Sequence, residues 1–160
     1  MNKLNRTAHP TVRMGEISVA TGGDELRTLL GSCIGLALHD RRRQVGGLAH
    51  IILPNARGKS DRPGKFVDTA IPALIEEMES VVGGKIRLTA KMAGGASMFS
   101  TTVAANIGLQ NIESCEQILG ELGIPIVAKH CGGEQGRRMS LDTASGKVMI
   151  EIVGHDRIEL

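Results

Sequence analysis

Aromatic side chains are almost missing: the 160 residues hold two phenylalanines, no tryptophan and no tyrosine. Proteins that grip single-stranded nucleic acid stack bases on aromatic rings, so that class loses its main device. An excess of one charge is missing too. The 19 basic and 17 acidic residues leave a formal net charge of +2, too weak a field to argue for nucleic acid or an anionic membrane. No apolar run reaches the roughly 18 residues that a spanning helix needs. No basic segment followed by an apolar run stands at the N-terminus, so no signal peptide is expected. Cysteine is scarce, at three. That odd count without paired spacing reads as reduced thiols in a cytoplasm.

Glycine, in contrast, is abundant. There are 21, where average usage is about 7%, and several fall in doublets such as Gly46-Gly47, Gly94-Gly95 and Gly132-Gly133. Glycine reaches positive φ and lets backbones approach closely, so the doublets read as turns between many short strands. The hydrophobic fraction of 41% and the charged fraction of 22% are those of an ordinary globular chain. A polar, aperiodic arm is expected over 1–14, then a single domain over 15–160.

Along the chain, "GEISVAT" (15–21) reads as a strand and "LRTLLGS" leads on from it. From Cys33 the pattern alternates. Ile34, Leu36 and Leu38 point one way, and Cys33, Gly35, Ala37 and His39 the other, which is strand periodicity. "VGGLAHIILP" (45–54) is a second apolar run, and the short polar "DRRRQ" between the two predicts a hairpin that lies inside the fold. Arg41–Arg43 read as its solvated tip. After a polar loop (55–66), "DTAIPALIEEMESVVG" predicts a helix capped by Asp68 or Thr69, with Pro72 in its first turn and Gly83 ending it. Its apolar stripe is Ile71, Leu74, Ile75, Met78 and Val82. A second amphipathic helix is expected from about Asn111 to Gly123. Strands are expected at "KIRLTAKMAGG", "IPIVAKH", "RRMSLD" and "KVMIEIVG". The order of strands, helix, strand, helix, strands is an α+β plan, with mostly antiparallel sheets packed against helices on one side.

The hairpin bears on chemistry because it brings Cys33 towards His50. A two-residue turn over Arg41 and Arg42 would set the two directly opposite. A three-residue turn would face His50 to Ile34 instead, unless a bulge at Gly46-Gly47 restored the pairing. A free thiol ionises near pH 8.5, so little is thiolate at neutral pH. A neighbouring imidazole takes its proton and returns one to the leaving group. Backbone N–H groups around Gly31, Ser32 and Cys33 are candidates for holding an oxyanion, and Thr28 lies close before them as a group to orient the histidine. The alternative stays open on spacing alone: cysteine is among the most buried residue types, and Cys33 also reads as inert core.

Other sites draw weaker readings. His130 and Cys131 are adjacent on a strand and face opposite ways, a poor nucleophile–base pair. A zinc site from Cys33, His50, His130 and Cys131 lacks ligand spacing, so no metal is expected. Gly94-Gly95 lacks the Gly-Lys-Ser/Thr ending of a phosphate loop and reads as a turn near the site. No cofactor is expected. Cys115 reads as packing, and Ser97 and Gln135 as lining for a groove.

"TLLGSCIGLALHD", "GGLAHIILP", "AIPALIEEM", "KMAGGASMF", "IGLQNIE" and "CGGEQGRRMSLDTASGKVMI", in that order, resemble the CheD family of chemoreceptor glutamine deamidases over about Gly15 to Val153. The resemblance implies a layered α/β/β sandwich and a Cys–His–Thr catalytic group acting on receptor glutamines through a thioester. Cys33 matches the nucleophile and His50 the base. Thr28 falls to the third role, although it stands five residues before the cysteine where the family pattern can place threonine six before. Chemoreceptor cytoplasmic helices are then the substrate. A CheC-type phosphatase partner and a receptor methylesterase activity are further implications. The rival from another class is a non-catalytic adaptor that binds receptor or phosphatase. A thiol peptidase or an acyl transferase is the rival among enzymes.

Overall fold

A computed structural model describes residues 11–58, 62–97 and 102–160, with backbone alone for 102–105. The alternating segments form β1 (Ile17–Thr21), β2 (Glu25–Leu30), β3 (Ile34–Asp40), β4 (Val45–Ile51), β5 (Thr89–Gly94), β6 (Ile126–Cys131), β7 (Arg137–Asp142), β8 (Val148–Glu151) and β9 (Ile158–Glu159). The helices are α1 (Val67–Val82) and α2 (Thr102–Glu121). One sheet has five strands in the order β1-β4-β3-β5-β6, and the other four in the order β2-β7-β8-β9. All pairs are antiparallel except β5 with β6.

The two faces of the five-stranded sheet follow the alternation in the sequence. Ile34, Leu36, Leu38, Val45, Ala49 and Ile51 pack with Ile71, Leu74 and Met78 of α1 and Cys115 and Leu119 of α2. Ala37 and Leu48 point the other way, into a second core with Leu26, Leu30, Met139, Leu141 and Ile150 of the four-stranded sheet. The result is the expected α+β sandwich: helices, then one sheet, then the other. Every residue of β3 and β4 is buried, because both faces of that hairpin are covered.

Three local expectations are corrected. The hairpin turn has neither two nor three residues. Asp40 pairs with Val45, so four residues, Arg41–Gln44, make the turn. It is held by the Arg43 N–H donating to Asp40 Oδ1 at 3.0 Å and by Gln44 at φ 50°. The ladder then runs to Ile34↔Ile51 without a bulge at Gly46-Gly47.

Helix α1 starts before Asp68, with Phe66 at its N-cap and no side-chain cap. Asp68 instead accepts the Ala56 N–H at 3.0 Å and ties down the preceding loop. Pro72 consequently sits in the second turn, not the first, and Gly83 ends the helix as expected at φ 69°. Helix α2 begins at Thr102, well before Asn111, whose side chain is used elsewhere. The strand β9 had no counterpart in the reading of the sequence. Residues 1–10 of the expected arm lie outside the described residues, while Val12 is buried in the inter-sheet core.

Candidate active site

Thr28 comes from the four-stranded sheet and His50 from the five-stranded one. In β2 the buried positions are Leu26, Thr28 and Leu30, so Thr28 faces the space between the sheets. In β4, His50 is on the same face as Leu48, looking back across that space. The two meet there: Thr28 Oγ1 lies 2.7 Å from His50 Nδ1. Thr28 Oγ1 also lies 2.7 Å from the Val12 carbonyl.

These two bonds fix the histidine tautomer. The Val12 carbonyl can only accept, so the single hydroxyl proton of Thr28 goes to it. The Thr28 oxygen then accepts, and Nδ1 of His50 must carry the proton it donates. Nε2 is left with its lone pair. It is buried and has no hydrogen-bond partner among the described residues. Burial holds the imidazole below its ordinary proton affinity, partly offset by the Val12 carbonyl.

Cys33 stands where the chain crosses from one sheet to the other, just ahead of β3. His50 pairs with Gly35 in the β3–β4 ladder, so neither direct opposition to Cys33 nor the Ile34 register is adopted. Cys33 lies two residues before Gly35, the partner of His50, and just outside the ladder, which begins at Ile34. At Gly35, opposite the imidazole, Met139 and Leu30 fill the space a side chain would take: a Cβ there would sit 2.6 Å from Met139 Sδ and 2.8 Å from Leu30 Cδ1. Cys33 is 8% exposed, and burial pushes its thiol above the ordinary value. Burial therefore favours the neutral form of both the thiol and the imidazole.

The backbone around Cys33 is gripped from one side. Gly95 N donates to the Cys33 carbonyl and Ala96 N to the Gly31 carbonyl, both at 3.0 Å. Nδ2 of Asn111, on α2, makes a long 3.5 Å contact to the Ser32 carbonyl and a 2.9 Å bond to the Ile52 carbonyl. In a trans peptide the next N–H points opposite to the carbonyl, and the described chain has no cis bond. With the Gly31 and Ser32 carbonyls turned towards β5 and α2, the Ser32 and Cys33 N–H groups face away. Neither donates a hydrogen bond among the described residues. Gly94 makes the close approach feasible: at φ 104° it lies against the Cys33 carbonyl, which a Cβ would strike.

Beside this loop lies an open cavity of ≈ 830 Å³, lined by Leu29, Gly31, Gln135, Arg138 and Val153 among others. Leu29 and Val153 are exposed apolar side chains on it. Arg137, itself buried, braces the 130–136 turn. It binds the His130 carbonyl and Nδ1 at 2.6 and 2.8 Å, and the carbonyls of Gly132 and Gln135. His130 and Cys131 are thus tied into structure: the Cys131 thiol points to the Met92 carbonyl at 3.8 Å. Among the described residues no group of three or more His, Cys, Asp or Glu is placed to hold a metal ion. No helix among them is long and apolar enough to cross a membrane.

Comparison with known proteins places the chain in a family. The family model CheD, chemotactic sensory transduction, matches residues 52–152. A probable chemoreceptor glutamine deamidase CheD of Clostridium novyi is 45% identical over 151 residues, 89% of this chain and 93% of its own length. The protein of the same description from Desulforamulus reducens is 44% identical over 160 residues, 96% of each chain. That from Methanococcus maripaludis strain C6 is 41% identical over 143 residues, covering 87% and 92%. The chain belongs to the CheD family. In this CheD chain the residues that sequence reasoning missed are Val12, whose carbonyl sets the Thr28 proton, and Asn111. Val12 fell in the expected arm, and Asn111 resembled a helix cap because asparagine favours caps.

Proposed function

We propose that this protein deamidates glutamine side chains of chemoreceptor cytoplasmic helices to glutamate, with Cys33 as nucleophile, His50 as general base and acid, and Thr28 orienting the imidazole. The observation that carries the reading is the bond between Thr28 and His50, which leaves Nε2 of His50 buried and without a hydrogen-bond partner among the described residues, opposite Gly35, two residues beyond Cys33.

The steps follow from a resting pair that is neutral. Cys33 Sγ attacks the side-chain carbonyl carbon of the glutamine while its proton passes to His50 Nε2. The carbonyl π electrons move to oxygen, and the Ser32 and Cys33 N–H groups receive that oxyanion. The C–N bond then breaks, His50 returns the proton to nitrogen, and ammonia leaves a thioester. A water attacks the thioester and gives a proton to Nε2. The C–S bond breaks, and the sulfur recovers that proton. The sum is glutamine plus water to glutamate plus ammonia. The imidazolium formed midway keeps its Nδ1–H on Thr28 throughout, so the ring does not turn away. The open cavity beside Gly31 suits a side chain that projects from a long helical substrate, with Leu29 and Val153 meeting its apolar neighbours.

The test is product identity. Wild-type protein is incubated with a chemoreceptor cytoplasmic fragment and the fragment is mapped by mass spectrometry. Glutamate at former glutamine positions in an intact chain is the expected product. A cut backbone would replace this reading with a peptidase, an isopeptide with an acyl transferase, and an unchanged fragment with the adaptor.

A further inference from the structure

Asn111 lies on neither strand of the proposed catalytic group, yet it touches both sides of it. It is fully buried on α2. Its one amide nitrogen reaches the Ser32 carbonyl, just before Cys33, and the Ile52 carbonyl, two residues beyond His50. Its Oδ1 is buried without a partner among the described residues. Placing an unsatisfied polar atom in a core opposes folding, and an apolar residue would suit the adjoining helix-side core of Leu119 and Cys115 better.

The helix is brought in close to deliver this amide. At Gly108 a Cβ would lie 2.7 Å from the Gly95 carbonyl, and at Gly95 one would lie 2.7 Å from Ile112 Cδ1. The same Gly95 donates its N–H to the Cys33 carbonyl. Of the two carbonyls that must turn inward for the Ser32 and Cys33 N–H groups to turn outward, that of Gly31 is held by backbone. Ser32 alone depends on a side chain.

We propose that Asn111 is a positioning residue: it sets the direction of the Ser32–Cys33 peptide, and with it the Cys33 N–H that receives the oxyanion, against the strand that carries His50. This rests on the thiol mechanism proposed above. The role concerns the oxyanion and not the ionisation of the thiol, and that separates it from a purely structural one. Alkylation of Cys33 by iodoacetamide displaces iodide at a saturated carbon and develops no oxyanion. Deamidation does.

The experiment compares wild type with Asn111→Leu, which keeps the bulk and loses the donor, and with Asn111→Ser. Thermal melts are recorded first so that rates are read on folded protein. The expected result is a fall in kcat of at least about tenfold in each variant, a fraction of what losing an oxyanion donor outright costs. KM for the receptor fragment and the pH dependence of Cys33 alkylation should hold within about threefold, because neither uses the Cys33 N–H. Unchanged kcat in folded variants would overturn the proposal. So would equal losses in deamidation and alkylation, which mean a general loosening of the site. Activity that survives Cys33→Ala would sink the mechanism itself, an outcome distinguishable from either.

Discussion

Replacing Thr28 by valine tests the junction between the two sheets. Valine keeps the branched shape and removes only the hydroxyl. Two bonds vanish at once, the one to the Val12 carbonyl and the one from His50 Nδ1. Thr28 is fully buried and His50 is 4% exposed, so water does not readily replace the lost partner. Each stranded polar group costs about 1–3 kcal/mol. Relaxation around the two groups would recover part of that, leaving a net loss of about 2 kcal/mol. The catalytic effect is separate. Without the Thr28 oxygen the proton is free to move to Nε2, the tautomer that cannot take the Cys33 proton, and the ring loses its orientation. A fall in kcat of about 10²-fold or more follows, since a wrong tautomer alone is known to cost about 10⁴ in the serine triad. Urea unfolding gives the first quantity and glutamate formation on the receptor fragment gives the second. Thr28→Ser, which restores the hydroxyl, should recover most of both. A Thr28→Val protein with wild-type kcat would refute the tautomer argument, and one with an unchanged midpoint would refute the burial argument.

Gly94→Ala should cost about 1–3 kcal/mol from its left-handed backbone alone and lower activity further, because the new Cβ strikes the Cys33 carbonyl; wild-type stability and rate would contradict the packing. Burial holds the folded-state pKa of His50 down, so the unfolded chain takes the proton first. That contribution to stability is intact above about pH 6.5 and fades below it, by at most about 1.4 kcal/mol per pH unit. Urea midpoints of wild type and His50→Gln should accordingly converge as pH falls from about 7 to about 5, and parallel curves would count against the buried neutral imidazole. The three thiols should titrate apart in native alkylation. Burial pushes Cys115 up to about 12 and Cys131 up to about 11. Cys33 should also ionise above the ordinary thiol range near 8.5; a Cys33 already half-ionised below that value would replace the neutral pair with a thiolate–imidazolium pair.

The sequence made most of the architecture legible because both cores are written as alternation. Ile34, Leu36 and Leu38 against Cys33, Gly35 and Ala37 is enough to separate the helix side of β3 from the inter-sheet side. Caps were less legible because they depend on what lies nearby in space: Asp68 is spent on the Ala56 N–H, and Asn111 on Ser32 and Ile52. The hairpin register was missed because nothing local demands a four-residue turn over Arg41–Gln44. That turn sets His50 opposite Gly35, two residues beyond Cys33. The position of Thr28 shows a different limit. Counting residues back from the cysteine assumes one strand, but Thr28 lies in one sheet and Cys33 at the entry to the other. A chain that crosses between sheets over Gly31–Cys33 does not carry strand parity with it, so a threonine five residues before the cysteine still reaches the imidazole.

In the proposed mechanism the Cys33 thiol performs the attack. The most direct measurement is the initial rate of glutamate formation on a chemoreceptor cytoplasmic fragment by wild type and by Cys33→Ala, side by side and at matched folded concentration. Conversion by wild type is expected, and none above the fragment-alone background by Cys33→Ala. Equal rates for the two proteins would contradict that mechanism.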